Sequence, residues 1–155
     1  MTKESPPRPC ACTTIRKAAR VLARTYDAAI EPTGMNVTQL AVMRAVLRHP
    51  SDSLSRVAED LDMDRTTLYR AIEALQRRRW VTIRDGKDNR SRSASITKRG
   101  DAALAQADPA WGRIQRDIVD RFGRVEWQSL VRDLQRLIDC ASDVAVGRSA
   151  TGSRP

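Results

Sequence analysis

Arginine and hydroxyl side chains share one face of a helix that we predict for residues 64–79. A guanidinium can bond to phosphate oxygens or, with two hydrogen bonds, to the major-groove edge of guanine, and hydroxyls can bond to either. This chemistry on one helix face predicts contacts with DNA bases and phosphates. The candidate DNA-binding residues on this face are Arg65, Thr66, Thr67, Tyr69, Arg70, Arg77 and Arg78.

The opposite face of the same helix is apolar, because Leu68, Ile72 and Leu75 recur at helical spacing. Asp64 suits the N-cap position, where its carboxylate can accept a hydrogen bond from a free amide of the first turn. A second, shorter amphipathic helix is predicted just before it, at residues 54–63. Two helices separated by a tight turn predict a helix-turn-helix.

A small basic hairpin is predicted after these two helices. Residues 80–83 and 93–97 alternate in polarity as short strands do, and the segment 84–92 between them combines turn formers with cations. Arg90 and Arg92 of this segment are further candidates for DNA contact. The fold predicted for the chain is therefore mainly α with a small β-hairpin wing, a winged helix-turn-helix.

Net charge is concentrated in the same part of the chain. The 155 residues carry a formal net charge of +9, and residues 65–99 hold eleven Lys and Arg against three Asp and Glu. The rest of the chain is about neutral, with seventeen basic and sixteen acidic residues. A basic helix and a basic hairpin indicate a polyanionic partner, and double-stranded DNA is the expected one.

Apolar residues at alternating spacings of three and four mark helices toward both ends of the chain. Such narrow stripes are typical of helices that pack against a second copy of the same chain. We expect the second helix to start at Thr38, a kink or restart at Pro109 and a separation at Gly123. The predicted segments are a flexible arm at 1–12, a dimerisation helix at 13–36, the winged helix-turn-helix at 37–99, C-terminal dimerisation helices at 100–146 and a disordered tail at 147–155.

Several classes of function fit the sequence poorly. No apolar run approaches the ~18 residues of a membrane span, so we expect a cytoplasmic protein without a membrane partner. With one His, no Gly-rich phosphate loop and no metalloprotease motif, we expect no catalytic residues and no cofactor. An architectural DNA-binding protein without sequence preference stays open, because charge alone binds any duplex.

Four motifs together resemble the MarR family of bacterial transcriptional regulators. They are the series at 57–61, the series at 64–75, Asp-x-Arg-x-Arg at 88–92 and Thr-x-x-Gly at 97–100. The wing motif with its closing Thr-x-x-Gly is the most specific part, and the resemblance covers residues 13–144. Arg79 departs from the family pattern, since many members have Gly at this position in the turn from helix to strand.

The resemblance implies a homodimer with interleaved terminal helices, acting as a repressor on a pseudo-palindromic operator. Each subunit would present the 64–79 helix to the major groove and the wing to the adjacent minor groove. The family pattern places Arg90 in that minor groove, where a narrow A·T-rich tract attracts a cation. It also suggests that Asp88 braces the wing arginines by ion pairing.

Cys10 and Cys12 lie just before a predicted helix, and Cys140 lies near the end of the last one. Amide dipoles at a helix start stabilise a thiolate, which favours oxidation of such a cysteine, with Cys140 as a resolving partner. Two soft thiols could instead hold Cu(I) or Zn, although the single His49 is distant in sequence. Chemically inert cysteines are the third interpretation.

Many MarR relatives release DNA when a small aromatic or phenolic acid binds between the dimer helices and the DNA-binding unit. The resemblance suggests a pocket for such an effector in this chain. The candidate lining residues are Arg16, Tyr26, Met35, Met43 and Trp111. For the apolar ones, ordinary packing in the core is the alternative, and for Arg16 it is a solvated helix face.

Overall fold

Six α-helices and one antiparallel β-hairpin make up the described part of the chain, in the order of a winged helix-turn-helix. The computed structural model describes residues 9–50, 52–85 and 92–151, with side chains up to residue 144. The elements are α1 (Ala11–Ile30), a short 3-10 helix (Glu31–Thr33), α2 (Val37–Arg48), α3 (Leu54–Asp60), α4 (Arg65–Arg77), β1 (Val81–Asp85), β2 (Arg92–Ile96), α5 (Lys98–Phe122) and α6 (Arg124–Thr151).

The chain divides into two compact units, Met1–Ile114 and Gln115–Pro155. In the first unit a single apolar core joins α2, α3, α4, the hairpin and the start of α5. In α3 and α4 its buried side chains come from the helix faces that the apolar spacing predicts. The largest fully buried ones are Ile30, Leu40, Met43, Leu54, Leu68, Ile72, Leu75, Val42, Val46, Val57 and Val81.

Helices α3 and α4 end in the same way, although neither ends at a glycine. The amide of Met63 donates to the carbonyl of Ala58 at 2.9 Å, and that of Trp80 donates to Leu75 at 3.0 Å. These bonds close Schellman motifs, in which the residue after the helix adopts a left-handed conformation. That residue is Asp62 (φ 48°) in α3 and Arg79 (φ 59°) in α4.

The hairpin is short and its register is regular. Val81 pairs with Ile96 at one end and Asp85 with Arg92 at the other. The strands thus lie one or two residues from the predicted 80–83 and 93–97, because Trp80 belongs to the Schellman turn instead. Trp80 is nevertheless 93% buried, with 7% relative exposure, so it packs into the core from the turn.

Three predicted boundaries differ from the structure by a few residues. Helix α1 begins at Ala11, inside the expected arm, and α2 begins at Val37 because Asn36, not Thr38, starts it. Asn36 and Gln39 form a reciprocal capping box, with the Gln39 amide donating to Asn36 Oδ1 at 2.8 Å. Helix α6 continues to Thr151, inside the tail expected at 147–155, and residues 152–155 lie outside the described residues.

Helix α5 is continuous through Pro109, so of the predicted kink or restart the restart is wrong, and the kink stays a prediction. Proline removes one hydrogen bond from a helix but does not end it when neighbouring turns hold. The predicted separation at Gly123 is confirmed, since this residue has φ 104° and lies between α5 and α6. Within the described residues, no helix is both long enough and apolar enough to cross a membrane.

Candidate nucleic-acid interface

The surface of α4 that faces away from the core is basic and exposed. Leu68, Ile72 and Leu75 fix the rotation of the helix because all three are fully buried. Tyr69 is half-buried and packs against the core with part of its ring. The exposed predicted contacts on this surface, here called the α4 basic face, are Arg65, Thr66, Thr67, Arg70 and Arg77.

The N-terminus of α4 is closed by its own N-cap, as predicted. The Thr67 amide donates to Asp64 Oδ1 at 2.8 Å, and the Thr67 hydroxyl donates to Asp64 Oδ2 at 2.5 Å. The hydroxyl bond first, then the amide bond, holds the pKa of the Asp64 carboxyl below its usual value of 3.8. Thr67 therefore uses its hydroxyl proton inside the cap, which leaves only its lone pairs for an outside donor.

Arg78 lies apart from the α4 basic face. Its guanidinium donates to the carbonyl of Gly34 and lies over the ring of Trp80, 4.5 Å from the ring centroid. We predicted a phosphate contact for Arg78, but both of these contacts lie within the protein. Arg77, its neighbour, has no ion pair among the described residues.

The base of the wing carries an ion pair that the sequence reading missed. Arg92 Nε lies 3.2 Å from Asp85 Oδ1, across the last register pair of the hairpin. The family resemblance suggests this bracing role for Asp88, which stays a prediction. Asp88 and Arg90, with the rest of residues 86–91, lie outside the described residues. The hairpin register would have pointed to Asp85, because cross-strand partners of opposite charge attract.

The wing is joined to the helix-turn-helix at Ser53. This serine caps α3, since its hydroxyl accepts from the Arg56 amide, and it also forms an isolated β-bridge with Ser93. The cap of the first helix is thus also a neighbour of the wing strand.

A polar network holds the far end of α3 against α2. Asp60 accepts from Arg48 Nη2 at 2.6 Å, and His49 Nε2 lies 3.4 Å from the same carboxylate oxygen. The other His49 nitrogen lies 3.2 Å from Asp52. The Arg48 hydrogen bond is the main reason why the pKa of Asp60 is lowered. His49 is therefore engaged with carboxylates rather than with a thiol.

The three cysteines are free and exposed. Cys10 occupies the N-cap position of α1, and the amide and hydroxyl of Thr13 lower the pKa of its thiol. Cys12 lies two residues further on, in the first turn. Among residues whose positions are described, no group of three or more His, Cys, Asp or Glu could hold a metal ion.

The candidate effector residues have different surroundings. Met43 is fully buried in the core, and Arg16 is exposed on α1. Trp111 is partly buried. The guanidinium carbon of Arg44 lies over its ring, 3.9 Å from the ring centroid. Burial raises the pKa of Tyr26. For Met43 the alternative of ordinary core packing is correct.

Met35 lines an open cleft of about 380 Å³ in the first unit. The cleft has a mixed lining that includes the acidic side chains Asp27 and Glu31 and the guanidinium of Arg78. The Asp27 carboxylate also accepts from the Val37 amide at 2.7 Å, which ties α1 to the start of α2. Of the five candidate effector residues, Met35 is the one in this lining.

The chain is similar to known DNA-binding regulators in sequence. Residues 39–84, from α2 to β1, match the model of the IclR helix-turn-helix domain. YwoH of Bacillus subtilis, an uncharacterised HTH-type transcriptional regulator, is 21% identical over 108 residues, which are 70% of this chain and 79% of YwoH.

Solved structures extend the similarity over most of the chain. The regulator MosR of M. tuberculosis, in complex with DNA, is 32% identical and superposes with a TM-score of 0.81, covering 88% of this chain and 98% of MosR. PcaV of Streptomyces coelicolor, in complex with its natural ligand, has a TM-score of 0.78 at 16% identity, covering 90% of this chain and 99% of PcaV. The helical fold with a two-stranded wing is therefore that of winged-helix regulators.

Proposed function

The chain belongs to the family of winged-helix transcriptional regulators that includes MosR, and from this premise we propose that it is a homodimeric repressor of the MarR type. It would bind a pseudo-palindromic operator and read its sequence through α4. The observation that carries this proposal is the exposed α4 basic face on a helix whose other side is locked into the core. The MarR assignment rests on the wing motif at 88–92 and Thr-x-x-Gly at 97–100.

The N-terminal half of α4 is the part that we propose enters the major groove. Thr66 and Arg70 are exposed there, and the Tyr69 hydroxyl belongs to a ring that is only half-buried. Arginine addresses guanine with two hydrogen bonds, and hydroxyls bond to either bases or phosphates. Arg65 and Arg77 are better suited to phosphates, which fix the helix in register without reading sequence.

The wing is proposed to grip the DNA beside that groove. Arg92 forms an ion pair with Asp85 at the base of the hairpin. This ion pair restricts the conformations of the Arg92 side chain in the absence of DNA. The roles of Arg90 and Asp88 are proposed from the family pattern alone. A minor-groove contact by Arg90 would favour A·T-rich sequence next to the α4 half-site.

Homodimerisation is proposed through the helices outside the winged unit. On α1, Ile15, Val21 and Leu22 are exposed at 39%, 47% and 38%. On α6, Val131, Leu137 and Ile138 are exposed at 46%, 42% and 49%. Exposed apolar surface of this extent on a helix marks an interaction site, and a two-fold dimer would present two copies of α4 to two half-sites.

A binding experiment tests sequence-specific recognition. Duplexes selected from a random pool would supply the operator, and fluorescence anisotropy would compare it with a scrambled duplex. We expect binding at least about 1,000-fold tighter to the operator. Arg70→Ala should reduce that ratio, costing about 1–3 kcal/mol on the operator. Arg113→Ala, which removes an exposed arginine from α5, is the matched control and should change neither affinity.

The architectural alternative predicts a different outcome of the same measurement. A protein that binds by charge alone has nearly equal affinity for the operator and the scrambled duplex. A ratio near one for the wild-type chain would therefore remove the repressor and leave the architectural protein. The selected pool would also show no consensus sequence in that case.

Release from DNA is proposed to follow either binding of a small aromatic acid or oxidation of Cys10 and Cys12. PcaV supports the first route by analogy, since it was solved with its natural ligand. The second route is supported by the lowered pKa of the exposed Cys10 thiol, because the thiolate is the form that peroxide oxidises.

Peroxide titration decides whether the thiols take part. Operator affinity would be measured before and after peroxide and again after a dithiol reductant. Oxidation should weaken binding reversibly in the wild type and leave Cys10→Ser and Cys12→Ser unchanged, with Cys140→Ser as the control for a resolving role. Equal affinity before and after oxidation would rule out the redox route and leave the effector route.

A further inference from the structure

Arg78 joins the C-terminal end of α4 to the segment between α1 and α2. One guanidinium donates to the Gly34 carbonyl and lies over the Trp80 ring at 4.5 Å from the centroid. A planar guanidinium can make a directional hydrogen bond and stack on an aromatic ring at the same time, which an ammonium cannot match. The two contacts together define the position of this end of α4.

Both groups that receive Arg78 are themselves fixed. Gly34 closes the 3-10 helix with its amide on the Glu31 carbonyl at 2.7 Å, in a left-handed conformation of φ 72°. That conformation suits glycine and turns the Gly34 carbonyl toward Arg78. Trp80 is nearly fully buried and is held by its own amide bond to Leu75. Both contact groups of Arg78 are therefore held in place by backbone hydrogen bonds, Gly34 to Glu31 and Trp80 to Leu75.

The surroundings of Arg78 also favour its inward position over a phosphate contact. The cleft that Arg78 lines is also lined by two acidic residues, Asp27 and Glu31, and negative charge in its surroundings favours a cation there. Arg78 would lose both the carbonyl bond and the ring contact if it swung toward DNA. Arg77 has no such contacts, so it can serve a phosphate without loss.

We propose that Arg78 is a positioning residue that sets the angle of α4 and thereby the fit of its N-terminal side chains to the operator. This inference rests on the proposed function. The thirteen residues of α4 span roughly 20 Å. With that lever, a tilt of about 5° at Arg78 moves the far end by roughly 2 Å, which is more than a specific contact tolerates.

Salt dependence distinguishes positioning from a phosphate contact. Affinities for the operator and for a scrambled duplex would be measured from low to high salt for Arg78→Ala, Arg78→Lys and Arg77→Ala. For both Arg78 variants we expect about a tenfold loss on the operator, little change on scrambled DNA and an unchanged salt slope. Arg77→Ala should weaken binding to both duplexes and lower the slope by about one per subunit.

Arg78→Lys keeps the charge and so separates geometry from electrostatics. Operator affinity restored to wild type by lysine would overturn the proposal, and so would a lowered salt slope in Arg78→Ala. Trp80→Phe, which keeps an aromatic core residue, should reproduce part of the loss. The double variant Arg78→Ala/Trp80→Phe should then lose less than the sum of the two single losses.

Hydrogen exchange tests the tie without DNA. In the full chain, Arg78→Ala should speed amide exchange at both residues 31–36 and residues 74–80, whereas Arg77→Ala should not. Unchanged exchange at either segment would overturn the tie. If the wild-type chain fails to discriminate the operator while the exchange result holds, the proposed function fails and the link between the two segments stands.

Discussion

The two compact units differ in whether they bury their own apolar side chains. All the buried residues of the chain whose side chains are described lie between Ile30 and Ala107, within the first unit. In residues 115–144 none is buried. There Phe122, Val125, Val131, Leu137, Ile138 and Val144 are 42–73% exposed. The first unit therefore buries its own apolar core. The exposed apolar surface of the second unit is of the kind that marks interaction sites, which supports the proposed dimer.

The largest loss of stability is expected at Gly100, where the first unit leaves no room for a side chain. A Cβ on Gly100 would lie 2.1 Å from the Trp80 carbonyl oxygen and 2.9 Å from Ile96 Cγ2. Because the closest atom belongs to the backbone, it cannot rotate away. Gly100→Ala should therefore lower the free energy of unfolding by about 3 kcal/mol or more, despite the higher helix propensity of alanine. Urea denaturation measures the change.

Asp101→Ala is the matched control for Gly100→Ala. It also places an alanine in the same helical turn, but at an exposed position, so it should cost less than about 1 kcal/mol. Equal stability of Gly100→Ala and the wild type would mean that the close approach of α5 to Trp80 is not required. Gly100 would then no longer support the contrast between a first unit with a buried core and a second unit with exposed apolar side chains.

The next effect probes the second unit. Leu137 is 42% exposed on α6, so Leu137→Asp should change an isolated chain little. In a dimer interface, however, the buried carboxylate would cost several kcal/mol. We expect monomers in sedimentation experiments and an operator affinity that falls by about 100-fold or more, because two half-sites are no longer bound together.

Gln128→Asp adds the same charge at an exposed polar position of the same helix and should leave the dimer intact. Circular dichroism would confirm that both variants keep their helices. A Leu137→Asp protein that sediments like the wild type and binds the operator equally well would show that this side of α6 faces solvent in the working protein.

The helices and caps of the first unit are predictable from the sequence, whereas several of its side-chain contacts are not. The apolar spacing in α3 and α4 and the cap at Asp64 were predictable because local periodicity and capping chemistry determine them. The hydrogen bond from Arg78 to the Gly34 carbonyl was not predictable, because Gly34 lies 44 residues away and no local pattern indicates that pairing. Asp85 was missed because Asp88 offered the same charge, and only the hairpin register separates them.

A smaller effect is expected from the cap of α4. Asp64→Ala removes the acceptor for the Thr67 amide and hydroxyl and should lower Tm by about 2–4 °C at neutral pH. Because folding lowers the pKa of this carboxyl, its stabilisation is complete above the unfolded pKa and is lost as pH falls through the folded one.

The pH dependence provides the check on Asp64. The difference in Tm between wild type and Asp64→Ala should therefore shrink as pH falls below 3.8, the usual pKa of this carboxyl. Asp62→Ala is a poor control because of its positive φ, so Glu73→Ala, which removes an exposed carboxyl from the same helix, is used. A Tm difference that stays constant with pH would show that the Asp64 charge does not contribute.

The smallest effect concerns the two helix ends in the first unit that lack glycine. Arg79 has φ 59° and Asp62 has φ 48°, and aspartate visits this conformation more readily than arginine. Arg79→Gly should therefore stabilise the chain by about 0.5–1 kcal/mol in urea denaturation, whereas Asp62→Gly should gain less. A loss of stability in Arg79→Gly would mean that its side chain contributes more than its backbone costs. A gain would mean that the first unit tolerates the backbone strain at Arg79 because its buried core stabilises the fold. Residues 115–144 of the second unit have no buried side chain that could do the same.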